Sequence, residues 1–205
     1  MAGRLVVGIS GASGAIYGIR LLQSLAGRSE VETHLVISSP ARRTILHETD
    51  LSVEQVEALG DKVYDHRDIG AAIASGSFKT MGMAVVPCSM KTLSSIANSY
   101  ADNLISRAAD VTLKEGRPLV LVVRETPLHP GHLRLMLALA EIGAVIFPPV
   151  PAFYNRPNSL DDIVNHTVGR LLDRLGIDQT LVEEWRGTLT SSGSSTHGGE
   201  NTPST

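Results

Sequence analysis

A single cysteine, Cys88, in 205 residues excludes an intrachain disulfide framework and a cysteine-rich zinc site. Charge is scarce as well: 19% of the residues are charged, against about 25% in typical globular chains. The net charge is −3 and the pI near 6.1, so no basic excess recommends nucleic acid or an anionic membrane as a partner. No run approaches the roughly 20 apolar residues needed to span a bilayer. The opening Met1-Ala2-Gly3-Arg4-Leu5-Val6-Val7-Gly8 enters a strand at once and lacks the apolar stretch of a signal peptide. A soluble, reduced, cytoplasmic protein is expected. Nineteen glycines and ten prolines are too many for a plain helical bundle and too few for a disordered chain. The length suits one compact domain.

What is present is an alternation of two patterns. Short, nearly continuous β-branched runs occur at Leu5–Ile9, His34–Ile37, Met83–Val86, Leu119–Val123 and Ala144–Phe147, as expected of strands covered on both faces. Helical spacing lies between them. Ile16, Ile19, Leu22 and Leu25 suit one helix face, and Leu133, Met136, Leu137 and Ala140 another. A helix over 103–115 is bounded by Asp102 and by Gly116 before Pro118. A last long helix is expected from Ser159 to Leu175, after a proline-rich stretch at 148–151, and a short one over Leu181–Arg186. Residues 1–187 read as one α/β domain, three layers with a parallel sheet and helices on both faces. Residues 188–205 have little apolar area to bury and read as a flexible tail.

The first strand ends in Gly8-Ile9-Ser10-Gly11-Ala12-Ser13-Gly14, directly before a helix. Backbone amides and hydroxyls at a helix N-terminus suit an anion or a polar ring edge. The spacing is neither G-x-G-x-x-G nor a P-loop, and Ser38-Ser39 ends the second strand where a dinucleotide fold places a ribose-binding acid. NAD and ATP are disfavoured; a mononucleotide with one phosphate is not. Alone, the turn reads equally as a ligand loop or as a tight turn needing small residues. A second loop of this kind, Pro87-Cys88-Ser89-Met90-Lys91-Thr92, joins a strand to a helix. Cys88 reads there as a small buried side chain, with no nearby histidine to make it a nucleophile.

Other polar residues have plain alternatives. Arg107 and Lys114 share a helix face with Asp110 between them, which alone reads as a solvated charge ladder. Arg124 ends an apolar strand and so faces the ligand edge of a parallel sheet. Tyr154 in its loop and Arg170 on the last helix fit packing or surface roles equally well, and Glu48 alone reads as surface. His129 and His132 flank Pro130-Gly131 without a third ligand, so no metal site is expected.

Together, Gly8 to Gly18, Glu48-Thr49-Asp50, Pro87-Cys88-Ser89, Arg107-Ala108-Ala109-Asp110, Leu113-Lys114-Glu115, Arg117 to Leu121, Arg124-Glu125-Thr126-Pro127-Leu128 and Pro151-Ala152-Phe153-Tyr154 resemble, in order and spacing, the flavin prenyltransferase UbiX family, called Pad in yeasts. The resemblance covers about residues 4 to 186. It implies a Rossmann-like flavoprotein fold and transfer of a dimethylallyl group from dimethylallyl monophosphate to N5 and C6 of reduced FMN. It also implies a dodecamer with sites between subunits, no metal, and prenylated FMN as product for a UbiD-type decarboxylase.

Family roles are implied where residues match. Gly11, Ala12, Ser13, Ser38, the loop Ser89, Met90, Lys91 and Thr92, and Arg124 resemble FMN contacts. Arg107, Lys114, Arg124, Tyr154 and Arg170 resemble the prenyl-phosphate cradle. Ser13, Glu48 and Glu125 resemble the groups that move or orient protons. Two departures stand out: Ile69 occupies a position near which some relatives carry tryptophan, and Ser39-Pro40 replaces the more usual Lys-Ala. The alternatives weighed are an FMN-dependent peptidyl-cysteine-type decarboxylase, in which Lys114, Arg124 and Arg170 have no role, and a non-catalytic flavin carrier.

Overall fold

The β-branched runs pair into one parallel sheet. The computed structural model describes residues 2–182, and contains the strands β1 (Gly3–Ile9), β2 (Val31–Ile37), β3 (Lys62–Tyr64), β4 (Gly82–Cys88), β5 (Leu119–Val123) and β6 (Val145–Ile146). They lie in the order β3-β2-β1-β4-β5-β6. Successive side chains leave a strand on opposite faces, which explains why the runs are apolar throughout. Leu5, Val7 and Ile9 join Ala84, Val86, Val120 and Val122 in the core on one face. Val6, Met83, Val85, Leu119, Leu121 and Val123 join the core on the other.

Helices α1 (Ala15–Leu25), α2 (Ser39–Glu48), α3 (Val53–Glu57) and α7 (Leu160–Arg174) bury residues in the first core. Helices α4 (Met90–Ala97), α5 (Leu104–Lys114) and α6 (Pro130–Glu141) cover the second. The architecture is therefore the expected three-layer Rossmann-like one. Strand order reverses direction beside β1, so the carboxyl ends of β1 and β4 open a crevice at the topological switch point.

The helix expected over 103–115 starts at Leu104, capped by Asn103, whose Oδ1 accepts from the amides of Ile105 (3.0 Å) and Ser106 (3.1 Å). The last helix begins after Ser159, whose Oγ accepts from the Asp162 amide at 3.1 Å. Two expectations are corrected. A third strand, β3, lies on the sheet edge beside β2; it has three residues and an exposed pattern, too short to show a run. Helix α6 packs on the second core through Leu139, with Leu135 and Met136 partly buried, whereas Leu133 and Leu137 of the expected face and the following Ile142 are more than half exposed. The short helix over Leu181–Arg186, the end of the domain at 187 and the tail at 188–205 fall wholly or partly outside the described residues. Among the described residues no helix is long and apolar enough to cross a membrane.

Candidate functional site

Ser10, the first residue after β1, ties the two loops of the crevice together. Its hydroxyl donates to the Pro87 carbonyl at 2.8 Å and accepts from the Ser89 amide at 2.8 Å, and its own amide donates to Pro87 at 3.2 Å. The glycine turn then enters α1 through Gly14, whose φ of +95° disfavours any residue with a Cβ. This conformation directs the amides of Gly14 and Ala15 at Glu48 Oε2, at 2.8 and 3.1 Å. The anion expected at this helix N-terminus is thus the chain's own carboxylate. Burial disfavours charge on Glu48, but the Ser13 hydroxyl, the two amides and the nearby Arg124 guanidinium outweigh it and hold the carboxyl below the usual range. Ser13, Glu48 and Arg124, far apart in sequence, meet at one end of the sheet.

The remaining loops of this edge present hydroxyls. Ser38 caps α2, its Oγ accepting from the Ala41 amide at 3.2 Å. Gly11 lies directly against Pro40, where a Cβ would collide with the proline ring; the Ser39-Pro40 departure therefore sits on the first loop. Ser89 caps α4, accepting from Thr92 N at 3.3 Å and donating to Thr92 Oγ1 at 3.1 Å. Met90 is half-buried and Lys91 exposed. Arg124 is anchored through its amide to the Cys88 carbonyl at 3.1 Å, with an exposed side chain. Glu125 Oε1 accepts from the Thr126 amide at 3.1 Å. Cys88 is fully buried, and burial pushes its thiol far above the usual range, so it presents no thiolate.

Of the other candidate cations, Arg107 lies in the first turn of α5, and Lys114 and Arg170 lie towards the ends of their helices. Helix α5 returns from the crevice edge, where Leu104 N meets His66 O, to the opposite edge, where β5 begins. Arg107 pairs with Asp110 at 3.1 Å, and Lys114, at the far end, with Glu115 at 3.0 Å. Seven-residue strands such as β1 are roughly 20 Å long, so Lys114 is out of reach of the crevice in its own chain. Helix α7 also ends at that far edge, where the Asp178 carbonyl accepts from Arg28 at 2.7 Å. Arg170 pairs with Asp173 at 3.0 Å near that end.

Tyr154 lies in the loop between β6 and α7. It packs on α7, with its hydroxyl 2.9 Å from His166 Nε2 and the rings edge to face at 5.7 Å. Tyr154, His166 and Arg170 line one open groove with Arg156, Asp162 and Asp173. His166 pKa is lowered, by burial first and by Arg170 second.

Two of these residues escaped sequence reasoning. Ser10 carried a signal, a hydroxyl at the first position after a strand. His166 carried another, four residues before Arg170 and so on the same helix face. His129 has a local role, its Nδ1 accepting from the Gly131 amide at 3.0 Å at the start of α6.

The fold is shared with known proteins. The Flavoprotein family matches residues 2–172. The flavin prenyltransferase UbiX of Escherichia coli K12 is 63% identical over 186 residues, covering 90% of this chain and 98% of the relative. The crystal structure of AnUbiX (PadA1) in complex with FMN and dimethylallyl pyrophosphate superposes with a TM-score of 0.89 at 52% identity, covering 92% of this chain and all of that one. A dodecameric FMN-dependent UbiX-like decarboxylase from Escherichia coli O157:H7 superposes at 0.88 and 53% identity, covering 90% and 100% of the two chains.

Proposed function

The chain belongs to the Flavoprotein family and, within it, to the UbiX flavin prenyltransferases, and from that premise we propose that it transfers a dimethylallyl group from dimethylallyl monophosphate to N5 and C6 of reduced FMN. A UbiD-type decarboxylase would receive the prenylated FMN. One domain over residues 1–187 carries the activity. The observation that carries the reading is the meeting of Ser13, Glu48 and Arg124 at the β1/β4 switch point, where folds of this class bind their ligand.

FMN fits this edge. Glu48 occupies the N-terminal amides of α1, so the flavin phosphate is assigned to the N-termini of α2 and α4, framed by Ser38 and by Ser89 to Thr92. Gly11, Ala12 and Ser13 would contact the flavin, and Arg124, at the end of β5, would contact both ligands. Reduced FMN supplies nucleophilic N5 and C6. The chain stabilises the departing phosphate with cations and hydroxyls, and keeps water from the allylic group. Ring closure adds a proton to the prenyl double bond and removes one from C6. The phosphate released in the first step would supply the former, and Glu48, held anionic with Ser13 against it, would accept the latter, with Glu125 orienting the loop that carries Arg124.

Arg107, Lys114, Tyr154 and Arg170 complete the phosphate cradle. Lys114 lies at the sheet edge opposite the crevice, so a neighbouring chain must deliver it. The exposed Leu133 and Leu137 of α6, and Val150 and Phe153 at more than 70% exposure, supply apolar surface for an assembly such as the dodecamer. Anaerobic incubation with reduced FMN and dimethylallyl monophosphate, followed by mass spectrometry of the extracted flavin, tests the reading. A mass gain of one C5 unit is expected; unmodified FMN, with the pyrophosphate donor also inert, would exclude prenyl transfer.

A further inference from the structure

We propose that His66 is a positioning residue for the flavin phosphate, fixing Ser39 and with it the first turn of α2, to which that phosphate is assigned. This rests on the reading that FMN binds at the carboxyl edge of the sheet. His66 Nε2 lies 3.1 Å from Ser39 Oγ, across 27 positions of the chain. A hydroxyl both donates and accepts, so either tautomer of the ring makes this link. Neither residue is among the flavin contacts implied by the family resemblance.

The start of α2 has one backbone amide to offer an anion, and it belongs to Ser39. The Ser38 amide donates to the Ile9 carbonyl at 3.0 Å. Pro40 has no N–H. The Ala41 amide donates to Ser38 Oγ at 3.2 Å, and the Arg42 amide to the Ser38 carbonyl at 3.1 Å. Among the described residues, the Ser39 amide has no such acceptor. Ser39 itself is exposed, so the core does not hold it in place. The next residue, Pro40, lies against Gly11, which seats this turn on the first flavin loop. A displacement of Ser39 therefore moves the phosphate position relative to that loop.

His66, by contrast, is held from several directions. It follows β3, whose Tyr64 hydroxyl lies 2.8 Å from His34 Nδ1 on β2. Its carbonyl accepts from the Leu104 amide at 2.7 Å, at the start of α5. Its Nδ1 lies 3.5 Å from Asp65 Oδ1. Asp65 is clamped in turn by Arg67, through the amide at 3.0 Å and the guanidinium at 2.9 and 3.2 Å. The imidazole is only 20% exposed, which leaves it little freedom to turn away from Ser39. The short edge strand β3 thus delivers a fixed ring to the N-terminus of α2.

Equilibrium titration of the full chain with FMN, and with riboflavin as the same ring system without the phosphate, reads this role. His66→Ala is expected to weaken FMN binding about threefold to tenfold, the scale of one hydrogen bond, and to leave riboflavin affinity unchanged. His66→Gln, whose amide can meet the same hydroxyl, should restore most of the FMN affinity. Ser39→Ala breaks the link from its other, exposed end and should match His66→Ala. The double variant should bind FMN no more weakly than either single one, because both remove one contact. Wild type that binds no FMN would overturn the proposed function itself. Wild type that binds FMN, with His66→Ala and Ser39→Ala binding it equally well, would overturn only the role of His66. An equal loss of riboflavin affinity, or additive losses in the double variant, would do the same.

Discussion

At the start of α1 the carboxylate oxygen assigned to receive a proton is also the helix cap. Glu48 Oε2 takes the amides of Gly14 and Ala15, and Ser13 and Arg124 add to its negative form. Its pKa in the folded chain is depressed, so its contribution to stability is complete above about pH 4.3, the unfolded value, and is lost as pH falls through the folded one. Glu48 is exposed enough that this amounts to no more than about 1 kcal/mol. Glu48→Gln therefore leaves folding and FMN affinity nearly intact. Product formation should slow by about 10²-fold or more, and likewise for Ser13→Ala, the usual scale for a lost acid–base group. Stopped-flow turnover with equilibrium FMN titration checks this; normal turnover in both variants would remove them from the chemistry. Glu48 was invisible as a site residue from residue types and spacing alone, because its partners lie 33 and 34 positions away. The family resemblance named it, and the left-handed Gly14 supplies the physical reason.

Elements differ in how far their sequence betrays them. β1, β4 and β5 were legible because both faces are buried, which leaves a continuous apolar run. β3 was not, since a three-residue edge strand needs no run to pair with β2. The face of α6 was legible as periodicity, but periodicity does not say whether the cover comes from the same chain. The path of α5 was legible as a helix and not as a distance, yet that distance separates Lys114 from the crevice. Between β1 and β4, Ser10 makes the decisive link. Removing its hydroxyl takes the acceptor from the Ser89 amide and leaves the Pro87 carbonyl with the Ser10 amide alone. Ser10→Ala is expected to cost about 1–3 kcal/mol and to weaken FMN binding, because the two flavin loops lose their mutual register. Urea denaturation and FMN titration measure both; unchanged FMN affinity would show that the loops hold position without Ser10.

At the scale of the whole molecule, the residues assigned to the proposed reaction stand at two ends of one sheet. Ser13, Glu48 and Arg124 stand at the carboxyl end of the strands, and Lys114 stands at the start of β5, roughly 20 Å away. If Lys114 serves the same phosphate, as proposed, a symmetric assembly would have to place the far edge of one chain against the crevice of the next. The exposed apolar residues of α6 and of the proline-rich loop supply surface that such an assembly would cover. Co-assembly of two inactive variants tests this division most directly. Glu48→Gln and Lys114→Ala chains, each of low activity alone, are unfolded, mixed in equal amounts and refolded together. With Glu48 and Lys114 drawn from different chains, about a quarter of the sites in a random assembly hold both native residues, and activity returns in that proportion. If the mixture is no more active than the two variants kept apart, the groups act within one chain and the composite site is wrong.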